Sequence, residues 1–215
     1  LGDDFDYKLS VGETDFTGPD NNHAFYRIDG QAIHESKLVN TSENLLFVDQ
    51  ISQGYSIKPP AREAKSISIE RTYYDMSGKR INLMNLTSGK EYIVHIKVNS
   101  DKKSYRDIMV VDLLPAGLEI SNPNFSANAE NQGIKISGKS IRSRINRSKI
   151  DYQGYLDDRY IASISVNSYR DTELFYQVQA VTPGVYKHPQ VMAESMYINN
   201  IRAVGRPSSR DLKVR

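Results

Sequence analysis

Cysteine is absent from the 215 residues, which removes disulfides, thiol nucleophiles and Cys-type zinc sites together. The absence does not place the compartment, because cytosolic chains avoid disulfides and many periplasmic ones simply have no cysteine. Long apolar runs are missing too: none nears the roughly 18 to 20 residues a helical membrane span requires. Neither sign of charge dominates, with 28 Lys and Arg against 26 Asp and Glu and a net charge of +2. Polyanion-binding chains usually show a stronger excess, so no nucleic-acid partner is expected. Catalytic motifs are also lacking. There is no G-x-S-x-G elbow, Walker loop or G-x-G-x-x-G. The four histidines, at 23, 34, 95 and 188, stand at no metal-ligand spacing, and "HES" at 34–36 has no second His. The acidic cluster Asp3, Asp4 and Asp6 lacks the Gly and distal Glu of a calcium loop and reads as a solvated terminus. No enzyme, metal or cofactor is expected.

What is present is alternation. "EYIVHIKVN" puts Tyr92, Val94, Ile96 and Val98 on one face and Glu91, His95 and Lys97 on the other, a half-buried strand with His95 toward solvent. "KSISIERTYY" sets Ile67, Ile69, Arg71 and Tyr73 against Ser66, Ser68, Glu70 and Thr72. "RYIASISVN" aligns Tyr160, Ala162, Ile164 and Val166, and "TELFYQVQAV" aligns Leu174, Tyr176, Val178 and Ala180. Turn chemistry bounds these runs at 75–79, 87–90, 156–159, 168–171 and 182–184. About seven strands between residues 64 and 215 describe an all-β fold, an antiparallel β-sandwich. One segment competes for helix: in "GKSIRSRINRSKIDY" Ile141 and Ile145 lie four apart amid Arg142, Arg144, Arg147 and Lys149, a short surface helix or ordered excursion whose charges read as a solvated face, with an anion or nucleic-acid patch as the alternative.

"VVDLLPAGLEI", from Val110 to Ile120, holds one acid among apolar residues. The run reads as a strand buried on both faces. Pro115 has no N–H for a ladder, and Gly117 tolerates backbone angles that other residues avoid, so "PAG" should end it in a turn. Asp112 is then either a satisfied structural carboxylate or part of a site. As a structural group it would accept from turn amides or from an Arg such as Arg159. Asp157 and Asp158 with Arg159 make a turn and a local ion pair at a strand start. The first sixty residues supply three or four short strands, and "KPPARE" at 58–63 reads as a stiff linker. Residues 1–60 form a β-rich partial domain, and 64–215 form the sandwich.

In that order and at similar spacing, "VVDLLPAGLEISNPNF", "LDDRYIASISV" and "FYQVQAVTPGVYKHPQVMAESMYINNIRAVG" resemble the C-terminal macroglobulin-like domain of bacterial alpha-2-macroglobulins. The resemblance covers roughly residues 64–206. Residues 1–60 resemble the second half of the CUB-type domain that, in this family, resumes after an inserted thioester domain. The chain opens on Leu1 rather than Met and reads as a piece of something longer.

The resemblance implies a structural and regulatory segment of a protease trap in the periplasm or envelope of a Gram-negative bacterium. Its partners would be target proteases, met through the whole protein, and other domains of the same chain. A membrane would be reached only through an N-terminal anchor of the parent. Met196 and Tyr197 in "AESMY" are the candidates for contact with the thioester region; the alternative is that both fill the edge of their own sandwich. A stand-alone immunoglobulin-like adhesin or carbohydrate-binding module is the competing class.

Overall fold

The computed structural model describes residues 6–18, 24–28, 36–51, 58–101, 103–122, 125, 133–208 and 210–215. The chain divides into two compact units, residues 1–57 and 58–215. His23, His34, Asp3 and Asp4 lie outside the described residues.

In the first unit β1 (Tyr7–Val11), β2 (Thr14–Thr17) and β3 (Ser36–Asn40) form an antiparallel sheet in the order β2-β1-β3. Gly12, at φ 57°, supplies the left-handed residue that a two-residue hairpin turn needs. Tyr7 and Leu9 are buried, and the Tyr7 hydroxyl meets that of Tyr26 at 2.9 Å. Phe25, Leu45, Phe47 and Ile51 remain exposed.

The second unit is a sandwich of two antiparallel sheets. One has six strands in the order β11-β12-β7-β15-β16-β4: β11 (Ile150–Tyr155), β12 (Arg159–Val166), β7 (Tyr105–Leu113), β15 (Val191–Ser195), β16 (Arg202–Val204) and β4 (Glu63–Lys65). The other has four strands in the order β5-β6-β13-β8: β5 (Ile67–Asp75), β6 (Glu91–Ser100), β13 (Thr172–Ala180) and β8 (Leu118–Asn122). β14 (Gly184–Tyr186) pairs with β17 (Leu212–Val214), and β9 (Lys135–Ile136) with β10 (Lys139–Ser140). The alternating residues read from sequence line the space between the sheets: Ile69, Val94, Ile96, Val110, Ile164 and Val178 are all at or below 2% exposure.

Three readings change. The second unit has fourteen strands among the described residues rather than about seven. Part of the difference is Ser66, at φ 63°. This left-handed residue breaks "KSISIERTYY", so that β4 pairs with β16 in one sheet and β5 with β6 in the other. β7 is not buried on both faces: Ile108, Val110 and Asp112 point inward, while Met109, Val111 and Leu113 are only half-buried. Conversely, β6 is covered on both sides. A second small core of Ile93, Phe125, Ile136, Ile141 and Phe175 lies on its outer face. That core belongs to the excursion carrying α1 (Ile141–Arg144), which is capped by the Ser140 hydroxyl accepting from Ser143 N at 3.2 Å. His95 is therefore buried, not solvent-facing. Its ring stacks on Phe175 at 4.4 Å, and Nε2 lies 2.7 Å from Glu173.

The "PAG" turn closes with Leu118 N donating to Pro115 O at 2.9 Å. The reason for glycine at 117 is space rather than φ. A Cβ there would sit 2.3 Å from the Tyr186 ring, whose hydroxyl donates to Thr182 O at 3.0 Å. Gly117→Ala should therefore push the ring off those contacts and cost about 1 to 3 kcal/mol. Adding Tyr186→Ala should relieve most of the clash. Chemical denaturation of the single and double variants measures both effects.

Candidate functional site

A buried polar cluster lies between the sheets. Asp112, fully buried on the inner face of β7, accepts from Arg71 Nη1 on β5 of the opposite sheet and from the Tyr176 hydroxyl on β13 at 2.7 Å. The second Arg71 amino group donates to Pro189 O and to Nδ1 of His188 at 3.2 Å, both in the segment leading into β15. The Tyr73 hydroxyl meets His188 Nε2 at 3.0 Å, and Tyr160 stacks on Tyr176 at 4.5 Å.

Donor and acceptor logic fixes the proton on His188. Arginine can only donate, so Nδ1 must accept, and the single N–H of the neutral ring sits on Nε2 and donates to Tyr73. A second proton would set two cations against each other. Burial and the Arg71 charge accordingly pull the His188 pKa down to about 3. Burial also lifts the Asp112 carboxyl, against the pull of Arg71 and Tyr176, and raises the Tyr176 hydroxyl. These groups satisfy one another, so the cluster ties both sheets to the 187–190 segment, with His188 at its partly exposed end.

Asp112 thus pairs with Arg71 and Tyr176, not with Arg159. Arg159 makes a two-pronged pair with Asp158 on the surface, at 2.8 and 2.5 Å. Two strands converge there, since Leu114 N donates to Asp158 O at 2.8 Å. Among the described residues no group of three or more His, Cys, Asp or Glu could hold a metal ion. Tyr73, Tyr176 and His188 joined no site in the sequence reading. Arg71 did leave a signal there, as the one charge on an otherwise apolar strand face.

The loop 195–201, between β15 and β16, is ordered and apolar. The Ser195 hydroxyl accepts from the amides of Tyr197 and Ile198 at 3.4 and 3.2 Å, Met196 N donates to Asp107 O at 2.9 Å, and Asn200 takes φ 71°. Ile201 tucks inward, while Met196, Tyr197 and Ile198 are 41%, 79% and 54% exposed. Neither Met196 nor Tyr197 belongs to the buried core.

A profile described as "Bacterial Alpha-2-macroglobulin MG10 domain" matches residues 67–199. Among curated relatives, the alpha-2-macroglobulin of Escherichia coli K12 is 35% identical over 169 residues, 77% of this chain and 10% of that protein. Among solved structures, native E. coli alpha-2-macroglobulin from domain MG7 to the C-terminus aligns at TM-score 0.80 with 28% identity, covering 98% of this chain and 33% of that one. The E. coli protein activated by porcine elastase aligns at TM-score 0.66 with 30% identity, covering 98% of this chain and 18% of that one. The chain spans about a tenth of the length of the curated relatives it matches.

Two outcomes follow from the buried cluster. Asp112→Ala strands the Arg71 charge and should cost roughly 3 to 5 kcal/mol, with Asp112→Asn costing less because the amide oxygen still accepts. The other concerns acid. Below pH about 6.5 an unfolded histidine takes up a proton that folded His188 refuses until about pH 3. Its contribution to stability should be complete above pH 6.5 and lost as the pH falls toward 3. Denaturant melts across that range should show the loss in the parent chain and a shallower one in His188→Gln.

Proposed function

The chain belongs to the bacterial alpha-2-macroglobulin family, and on that premise we propose that it is the terminal part of a protease trap, acting by binding rather than catalysis. Its sandwich docks on the thioester-type region of the parent protein and holds the uncleaved state. The observation that carries this reading is the 195–201 loop. Three consecutive apolar side chains, Met196, Tyr197 and Ile198, are exposed, Tyr197 most of all, on a loop that hydrogen bonds keep ordered. Met is adaptable and Tyr is amphipathic, which suits an interface that must shed water without strain.

Exposed Leu45, Phe47 and Ile51 on a three-stranded unit support the companion reading that residues 1–60 are the second half of a CUB-type domain completed by other parts of the parent. Solved structures of the E. coli relative in native and elastase-activated forms support a parent that meets target proteases and changes state on cleavage. A periplasmic or envelope location belongs to this same reading.

Replacing Met196 and Tyr197 together by Ala should change the stability of the 215-residue chain by no more than about 0.5 kcal/mol. The same change in a thioester-bearing parent should speed its reaction with methylamine before any protease is added. Loss of chain stability with unchanged amine reactivity would assign the pair to the sandwich. The chain alone should inhibit no protease; stoichiometric inhibition of trypsin or elastase would contradict the reading, and tight binding of a glycan would favour an adhesin.

A further inference from the structure

The near-neutral net charge hides a segregation. Residues 131–150 hold Lys135, Lys139, Arg142, Arg144, Arg147 and Lys149 and no Asp or Glu, so this segment carries +6 while the rest of the chain carries −4. The segment is no loose tail: Ile136 and Ile141 pack with Ile93 and Phe175 on the outer face of the four-stranded sheet. Arg170, from the turn between β12 and β13, donates to Ser143 O and Arg144 O at 3.0 and 3.3 Å and clasps the end of α1.

Two carboxylates beside the segment are engaged, while Asp151 at its end is exposed and makes no ion pair among the described residues. Glu173 takes Arg144 at 2.6 Å and His95 at 2.7 Å, and Asp171 faces Lys97 at 3.5 Å. Lys139, Arg142 and Arg147 are exposed and make no ion pair among the described residues. Tyr169, which shares a cleft with Lys139, stands 94% exposed. Its position is set by Asn167, whose side-chain oxygen accepts from the Tyr169 and Arg170 amides at 3.2 and 3.0 Å. Lys139, Tyr169 and Arg170 line one open cleft with the paired carboxylates Asp171 and Glu173.

We propose that this face is an interaction surface for an anionic, phosphate-bearing lipid bilayer, additional to any N-terminal anchor. A seated cluster of unpaired cations is attracted to anionic headgroups, and an exposed tyrosine at its rim fits the headgroup layer, where one end of the ring is apolar and the other wet. A single-stranded nucleic acid would use several stacking platforms, and residues 131–150 contain no aromatic side chain.

The test is sedimentation of the 215-residue chain with vesicles of phosphatidylglycerol in phosphatidylcholine. Binding should require the anionic lipid and fall with added salt. Each cation near the surface contributes about fivefold in partitioning, so Lys139→Gln, Arg142→Gln and Arg147→Gln together should weaken binding at least tenfold. Tyr169→Ala should weaken it severalfold. The exposed set Lys103→Gln, Arg106→Gln and Lys213→Gln removes the same charge elsewhere and should leave most of the binding intact. Three results overturn the proposal: no binding to anionic vesicles, equal loss in the two triple variants, or DNA bound as tightly as the vesicles, which would make the partner a nucleic acid.

Discussion

One buried pair, Arg71 and Asp112, faces inward from opposite sheets and constrains how they pack. A charge in an apolar core is tolerated only when paired and hydrogen-bonded. The native arrangement, which sets β5 residue 71 against β7 residue 112, satisfies both charges, whereas a shifted one would strand them. Around the pair the Tyr176 hydroxyl satisfies the second carboxylate oxygen, and Tyr160 stacks over the Tyr176 ring. The other end of Arg71 holds Pro189 O and His188, so the same cation sets where the chain enters β15. That strand ends at the loop bearing Met196 and Tyr197, which links the core constraint to the surface proposed to bind.

Strand positions were legible because each sheet buries one face, and a period of two shows directly in residues such as Tyr92, Val94, Ile96 and Val98. The partner of Asp112 was not. Arg159 drew attention by standing at a strand start, yet its side chain is spent on neighbouring Asp158 at the surface. The informative clue was Arg71, flanked on its own face by Ile69 and Tyr73. Two charges on apolar faces of separate strands imply each other, but nothing in local spacing says which strands oppose. His95 failed for a similar reason: period two gives the face of a strand and not what covers it. The cover comes from a segment more than thirty residues downstream. Ser66 carries no mark of its left-handed backbone, and Gly117 owes its identity to a ring about seventy positions away.

Of the candidate binding site, the loop residues were legible as an apolar pair near the end of the sandwich, but their exposure was not. Burial of Ile201 beside exposed Met196, Tyr197 and Ile198 is set by the hairpin register and by Asn200, which reverses the chain. The basic excursion illustrates the converse. Its charges were visible one by one, while whole-chain composition averaged them against an acidic remainder. Only the structure shows that Glu173 and Asp171 beside it are already engaged.

The measurement that bears most directly on the core constraint is a double-mutant cycle on Arg71→Met and Asp112→Leu, with stability read from denaturant unfolding. If the two buried charges constrain each other, each single change strands one of them, and the double change recovers most of the loss as an apolar contact. A coupling of at least about 2 kcal/mol is then expected. Additivity within about 0.5 kcal/mol would show that the two residues do not depend on each other, and would contradict the account.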